Sequence, residues 1–429
     1  YEKKFKGGIK VERKLDRVQA LIEAERCLYC YDAPCEKACP AHVPVPEFIQ
    51  SIRSGNLKGA RELVSLANPS IEVCGEVCPE EQFCQSVCTR AQIDSPIRIR
   101  ELHKFVTDNV KLSDLEFDLP PLNGKKVAIV GGGPAGLACA RELRRFGVKS
   151  VIFEKKELGG IPVQEISKER LPEEIARGEA KQILKIYDAE VKDEKITNLN
   201  ELGQGFDAVF VSTGLTEELE LDIQGVNLPN VYTARKLLKT IKSGMKTGLG
   251  KRVGVIGGGN VAVEVAAALK REDPSRDVEV VYRRGLKELR AFKDEIEEAL
   301  ELGVTFQFLA IPLEIKGSDK VEGIVVRRAR LGPPDEKGRR TFEEVPNSDF
   351  FIPFDSIVIA IGQKASDIFP ELEKTPNGLI KVNEDLETSK KGVFAGGDIV
   401  RGASTIVEAV ADGKKAAQSI LKYLGGQNV

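Results

Sequence analysis

The chain reads as an α/β fold in which a small helical domain precedes two doubly wound parallel-sheet units, the second inserted in the first. Three observations predict this. Eight of the nine cysteines fall in the first ninety residues, in a stretch patterned for helices. Two glycine-rich turns, 131–136 and 257–262, each follow a short apolar strand and open a helix. The last forty or so residues return to a strand and glycine loop of different chemistry, as though completing the first unit after the second has been inserted.

A length of 429 residues suits three domains of ordinary size. The expected boundaries are 1–118 for the helical domain, 119–233 and 355–429 for the two parts of the first nucleotide unit, and 234–354 for the inserted one. Lys and Arg number 64 against 66 Asp and Glu, a formal charge of -2 that leaves no electrostatic footprint for nucleic acid or an acidic membrane. No apolar run reaches the roughly 18 residues that cross a bilayer, and residues 1–13 are charged without an apolar segment. The expectation is a cytoplasmic protein with no membrane or nucleic-acid partner. Charged residues at 30%, one Met and no Trp lean towards a heat-adapted source.

The first element, from Val11 to Ile99, carries the cysteines as Cys27-x2-Cys30-x4-Cys35-x3-Cys39-Pro40 and Cys74-x3-Cys78-Pro79-x4-Cys84-x3-Cys88. Bunched at one end of a large chain with two histidines, they read as metal ligands in a reducing compartment, not as a disulfide framework. Their number and spacing point to two iron–sulfur clusters. Zinc is the competing metal; proline directly after Cys39 and Cys78, with a flavin site next door, weighs against it.

A polar, proline-bearing segment over 113–124 leads to the strand Lys126–Val130 and the turn Gly131-Gly132-Gly133-Pro134-Ala135-Gly136, which opens a helix over 137–146. Glycines 131, 133 and 136 allow the tight turn, the approach of a pyrophosphate and close helix packing. Glu154, after the strand 150–153, can take a ribose hydroxyl. The segment Gly392–Asp398, followed by Thr405-Ile406, looks like the second motif of two-dinucleotide flavoproteins. There the Asp, here Asp398 after Gly397, meets the ribityl chain, and a helix N-terminus faces the flavin. Ser212-Thr213-Gly214 and Ala360-Ile361-Gly362 look like the paired crossover motifs of that group, the latter assigned to the second nucleotide. FAD is expected at the first site, with Gly160 among its contacts.

The inserted unit begins at the strand Arg252–Ile256, followed by Gly257-Gly258-Gly259-Asn260-Val261-Ala262. Its second strand, 278–282, ends in Arg283-Arg284 where a ribose-binding acid usually stands, and Arg290 lies close behind. Guanidinium groups there suit a 2′-phosphate and favour NADPH over NADH; a solvated surface pair is the plain alternative. This unit has no Cys-x2-Cys, so it lacks the dithiol of a thioredoxin reductase, and solitary Cys139 reads as a packed apolar side chain. Electrons leaving the flavin must go to the clusters or to an external acceptor.

In its order of cysteine block, GGGPAG, GGGNVA, VVYRR, AIGQ and VFAGGDIVRGAST, the chain resembles the small (beta) subunit of glutamate synthase and its relatives. These include the amino-terminal half of dihydropyrimidine dehydrogenase and the large subunit of NADH-dependent ferredoxin:NADP oxidoreductase. The stretch 165–172 is closest to the dihydropyrimidine dehydrogenase pattern, and Arg170 matches an arginine placed there against FAD. The resemblance implies that Arg283, Arg284 and Arg290 hold the NADPH phosphate. It also implies that Cys27, Cys30, Cys35 and Cys88 hold one cluster while Cys39, Cys78 and Cys84 hold the other. For the eighth ligand the register set by Pro96, Leu102 and Phe105 puts His103 on the family's position, with Cys74, Glu101 and His42 as competing candidates.

The function expected is hydride transfer from NADPH to FAD, then single-electron steps through two 4Fe-4S clusters, with no side-chain acid or base required. Flux could run either way. Because the chain stops soon after the flavin motif, terminal chemistry is expected on a second catalytic subunit or a ferredoxin-type carrier, in a hetero-oligomer of glutamate synthase, dihydropyrimidine dehydrogenase or bifurcating transhydrogenase type. A self-sufficient NAD(P)H:acceptor reductase and a non-catalytic redox-sensing flavoprotein are the competing readings.

Overall fold

The computed structural model describes residues 14–425 apart from 203, 336 and 337; the charged start over 1–13 lies outside the described residues. Six helices form the first part: α1 (Arg17–Glu25), α2 (Pro34–Ala38), α3 (Val45–Arg53), α4 (Leu57–Ala67), α5 (Ile71–Val77) and α6 (Ile99–Asn109). Asp16 starts α1 by accepting the Gln19 N–H while the Gln19 side chain accepts the Asp16 N–H, a reciprocal cap. Helix α3 buries Val45, Phe48, Ile49 and Ile52, and α6 buries Ile99, Leu102, Phe105 and Val106, each an i, i+3/i+4, i+7 stripe facing one core. Tyr29, Ala33 and His42, among the cysteine loops, take left-handed backbone, so these turns are held by their surroundings, not by glycine.

The first nucleotide unit follows as β1 (Lys126–Val130), α7 (Pro134–Arg145), β2 (Lys149–Glu154), α8 (Ile161–Gln164), α9 (Glu173–Tyr187), β3 (Glu190–Asp193), β4 (Ala208–Val211) and β5 (Glu217–Glu218). The inserted unit runs β6 (Val231–Thr233), α10 (Ala234–Lys242), β7 (Arg252–Ile256), α11 (Asn260–Glu272), β8 (Asp277–Tyr282), α12 (Lys293–Glu301), β9 (Thr305–Phe308), β10 (Ala310–Lys316), β11 (Gly323–Pro334), β12 (Arg340–Pro353) and β13 (Ser356–Ile359). The chain closes with β14 (Gln363–Lys364), β15 (Val393–Ala395), α13 (Asp398–Arg401) and α14 (Ile406–Tyr423).

Two five-stranded parallel sheets result, in the orders β15-β4-β1-β2-β3 and β6-β13-β7-β8-β9, with an antiparallel β10-β11-β12 sheet beside the second and a short β5-β14 ladder. In each parallel sheet the glycine turn leaves the carboxyl end of the central strand, β1 or β7, where such folds bind ligands. The chain divides into two compact units, Glu218–Gln363 and, as one body, the described residues up to Glu217 together with Lys364 onward. The inserted unit therefore takes in β6 and β13, which lie outside 234–354. The helical segment packs into one body with the first nucleotide unit: Ala138, Val407 and Val410 join its core, and Val73 and Val77 join Val163, Ile166 and Leu171.

Buried charges join these parts. Arg141 donates to the carbonyls of Ser65 (3.0 Å) and Leu66 (2.7 Å), and Lys414 to those of Ala67 (2.7 Å) and Ala41 (2.8 Å). The free carbonyls at the end of α4 thus meet two cations, which the helix dipole favours. Fully buried Arg61 pairs with Glu72, whose backbone N–H donates to Glu179 at 2.6 Å. Burial pushes both carboxyls up. Replacing Arg61 by Met strands two buried carboxyls and is expected to cost about 3–5 kcal/mol of unfolding free energy at neutral pH. The variant's folded state then binds more protons than its unfolded state, so the deficit narrows as pH falls. Denaturant titration at two pH values checks this, and a loss below about 1 kcal/mol would contradict it.

Candidate cofactor sites

The cysteines form two groups. Cys27 feels Cys30 and Cys88 as its charged neighbours, and Cys35 feels Cys27 and Cys88. Burial pushes the Cys35 thiol up to about 12, so a thiolate there needs a compensating cation such as iron. The Ile97 N–H points at Cys88 Sγ (3.5 Å), and the Cys30 thiol donates to the Thr89 hydroxyl (3.4 Å).

The second group lines a cavity walled by Cys39, Cys74, Cys78, Cys84 and His103, with Val407 on one side. His103 is buried against the Phe48 ring, centroids 4.6 Å apart, and burial pushes its pKa down to about 3. Its imidazole is therefore neutral, and its Nε2 has no hydrogen-bond partner. Cys74 differs: its sulfur accepts the Asn68 amide at 3.3 Å. Glu101 is paired with Arg98 at 2.9 Å and His42 is exposed, and neither side chain lines the cavity. An orphaned neutral imidazole facing buried thiols fits an iron–sulfur centre. Among the described residues no three of these side chains are drawn together as around a single ion; the ligands of a cluster reach it from separate corners and need not be.

At the first nucleotide turn, Gly131 is left-handed (φ +106), and a Cβ on Gly136 would lie 2.0 Å from the Gly131 carbonyl oxygen. By contrast, a Cβ on Gly133 would meet only Gly160 Cα at 3.8 Å, leaving the approach to the turn open. Helix α7 begins at Pro134, earlier than 137, because proline at N1 gives up no hydrogen bond. Glu154 accepts the N–H groups of Gly132 and Lys156, both at 2.9 Å, which fixes its carboxylate beside the turn. The Ser212 hydroxyl donates to the Gly131 carbonyl (2.9 Å), and Gly214 (φ +64) follows Thr213, whose buried hydroxyl has no partner. Gly160 (φ +65) starts α8, and Arg170 is half-buried just beyond it.

Gly397 (φ +74) presents Asp398, which accepts the Ser404 hydroxyl at 2.6 Å and whose carboxyl burial pushes up. Thr405 caps α14 with Glu408 in a reciprocal box, so Ile406 stands in its first turn. Sequence reasoning missed the residues that brace this loop. Buried Asp412 accepts the Gly397 N–H (2.9 Å) and both arms of Arg401 (2.6 and 2.5 Å). Gly413 lets α14 close on α7, since a Cβ there would lie 2.1 Å from the Ala135 carbonyl oxygen. The small residue facing Ala135 was the available signal.

In the inserted unit, a Cβ on Gly257 would lie 2.2 Å from the Ala360 carbonyl oxygen, and one on Gly258 would strike the Tyr282 ring; Gly259 faces open space. Asn260 accepts the Phe292 N–H at 2.9 Å, and Val261 follows in the first turn of α11. Ala360-Ile361-Gly362 follows β13 on the neighbouring strand, with Gly362 left-handed. The Arg290 N–H donates to the Gly258 carbonyl (2.8 Å), which ties its loop to the turn. Arg283 and Arg284 lie over the Phe342 ring at 4.6 and 5.2 Å. Among the described residues, no helix is long and apolar enough to cross a membrane.

Residues 125–413 match the pyridine nucleotide-disulphide oxidoreductase family, and residues 4–114 match dihydropyrimidine dehydrogenase domain II, 4Fe-4S cluster. The glutamate synthase [NADPH] small chain of Halomonas elongata is 34% identical over 94% of this chain and 91% of its own. The NAD-dependent dihydropyrimidine dehydrogenase subunit PreT of Escherichia coli is 35% identical over 95% of each. The NADP(+)-dependent formate dehydrogenase subunit beta of Moorella thermoacetica is 36% identical over 91% of this chain and 60% of its own. Among solved structures, Mycobacterium tuberculosis FprA in complex with NADPH shares the fold at TM-score 0.60 and 20% identity, over 71% of this chain and 85% of its own.

Proposed function

Since the chain belongs to the pyridine nucleotide-disulphide oxidoreductase family, with a 4Fe-4S domain ahead of the nucleotide units, we propose that it is the NADPH-dependent FAD and iron–sulfur subunit of an electron-transferring complex. The observation that carries this is a shared helix. The cap and first turn of α14, Thr405 and Ile406, belong to the flavin motif, while the next residue, Val407, walls the cavity of the second thiol group. When bound, flavin exchanges a hydride with a nicotinamide and single electrons with iron–sulfur centres.

The chain's own residues bind and orient. Gly133 leaves room for the flavin pyrophosphate, Glu154 holds the adenosine ribose, and Asp398, fixed by Ser404, meets the ribityl chain. The N-terminus of α14 offers positive potential to the reduced ring. Cys27, Cys30, Cys35 and Cys88 hold one cluster, and Cys39, Cys78, Cys84 and His103 the other. Gly257, Gly259 and the arginines of the inserted unit hold NADPH. The relatives named as subunits of glutamate synthase, formate dehydrogenase and dihydropyrimidine dehydrogenase support a hetero-oligomer in which a second catalytic subunit or a ferredoxin-type carrier takes the electrons. A cytoplasmic location suits such a partner.

Anaerobic mixing with NADPH should bleach the flavin and then the cluster absorbance. Flavin that stays oxidised would leave a redox sensor as the reading. Fast ferredoxin reduction by the chain alone would leave a self-sufficient reductase.

A further inference from the structure

The sequence motif of the inserted unit offers three arginines, at 283, 284 and 290, but the structure adds a fourth from a distant part of the chain. Arg339 immediately precedes β12, on the connection from β11, 49 residues after Arg290 in the numbering. Its Nη2 donates to the Tyr282 hydroxyl at 2.5 Å and to the Glu288 carbonyl at 3.2 Å, and its buried Nε has no partner. Tyr282 ends β8, the strand that delivers Arg283 and Arg284, and its ring fills the space behind Gly258. Arg339 is thereby fixed at the edge of the nucleotide turn.

The Asp335 carboxylate accepts the Arg339 backbone N–H at 2.9 Å and does not pair with its guanidinium. Burial first, and then the neighbouring guanidinium groups of Arg284, Arg339 and Arg290, hold the Arg283 guanidinium below its usual range. Among the described residues none of the four arginines forms an ion pair, although Arg327 and Arg330 on the same hairpin are matched by Asp349, Glu344 and Glu343. Guanidinium groups gathered without an ion-paired carboxylate cost free energy, which an anionic ligand would offset. Phe342, also on β12, is the platform: Arg283 and Arg284 both lie over its ring, and the Arg284 Nε–H is further held by the Arg340 carbonyl at 2.9 Å.

We propose that Arg339 is a specificity-determining residue that joins Arg283, Arg284 and Arg290 on the 2′-phosphate of NADPH, with Phe342 as the positioning residue for the pair at 283 and 284. This rests on the reading of the inserted unit as an NADP site. The hairpin then contributes to cofactor choice, and relatives named for NAD and for NADP can share the same turn and differ there.

Isothermal titration of the full FAD- and cluster-loaded chain with NADP+, NAD+, 2′-AMP and 5′-AMP tests this. Arg339→Gln should weaken NADP+ and 2′-AMP binding about tenfold or more while leaving NAD+ and 5′-AMP within about twofold, as expected for one charge-assisted contact. Arg339→Lys should recover part of the loss, and Phe342→Leu should give a smaller loss of the same selectivity. If Arg283→Gln erases the preference and Arg339→Gln does not, Arg339 is no ligand and the inference fails while the NADP reading stands. Equal weakening of all four probes would also overturn it, by making Arg339 a brace for Tyr282. A wild-type chain that binds 2′-AMP no better than 5′-AMP would remove the NADP reading itself.

Discussion

Gly136→Val is expected to yield a chain without FAD. A side chain at 136 must enter where the Gly131 carbonyl oxygen lies, 2.0 Å from its Cβ, with the Ser212 hydroxyl at 3.0 Å. Both neighbours are fixed, one by the turn and the other by its bond to that same carbonyl. The start of α7 must then move off the turn, which costs on the order of 1–3 kcal/mol in packing and disrupts the pyrophosphate cradle. Flavin released on denaturation should fall below about a tenth of the wild-type amount per chain, since a few kcal/mol in affinity is a hundredfold or more. Gly133→Ala separates the two effects. Its Cβ meets only Gly160 Cα at 3.8 Å, so melting of flavin-stripped protein should be unchanged while flavin affinity drops. Retention of flavin by Gly136→Val would show that the turn is not the binding site.

His103→Ala should remove the second cluster, and with it about half of the bound iron and sulfide, while Cys74→Ala should keep both. The difference follows from partners. His103 shares a cavity wall with Cys39, Cys78 and Cys84 and its buried Nε2 has no hydrogen-bond partner, whereas the Cys74 sulfur already accepts the Asn68 amide. His103→Cys should restore the iron with a lower reduction potential, because thiolate donates more charge than imidazole. That shift, read by EPR-monitored titration, is one that a merely structural histidine would not produce. Iron lost from Cys74→Ala and kept in His103→Ala would reverse the assignment.

Both parallel sheets and both turns were legible in the sequence because each rests on local spacing: an apolar strand, glycines at fixed offsets, then a helix. The ligand grouping was less legible. Spacing alone makes Cys74 as good a ligand as Cys78; the amide that occupies the Cys74 sulfur comes from Asn68 across the α4–α5 turn, and the orphaned nitrogen of His103 joins that cavity only once α6 packs on α5. Asp412 and Arg401 escaped notice for the same reason: a buried carboxylate that holds a backbone N–H of a loop fifteen residues away resembles any charge on a helix. Arg339 could not be found from the fingerprint at all, since it comes from a hairpin that no βαβ pattern contains.

The Lys414 clasp has a consequence for biogenesis. Its ammonium holds carbonyls 373 and 347 residues earlier in the chain, one of them two positions after Cys39. At ribosomal rates of about 5–20 residues per second, roughly 20–70 s separate the appearance of Ala67 from that of Lys414. Through that interval the cysteine loops are already made, while α4 still lacks the second of the two cations that cap it and the second cavity still lacks α14, which supplies its Val407 wall. Iron delivered during translation would meet the first thiol group nearly complete and the second one open. Assembly is therefore expected to run in two stages, with the centre proposed at His103 filled only after the last helix has docked.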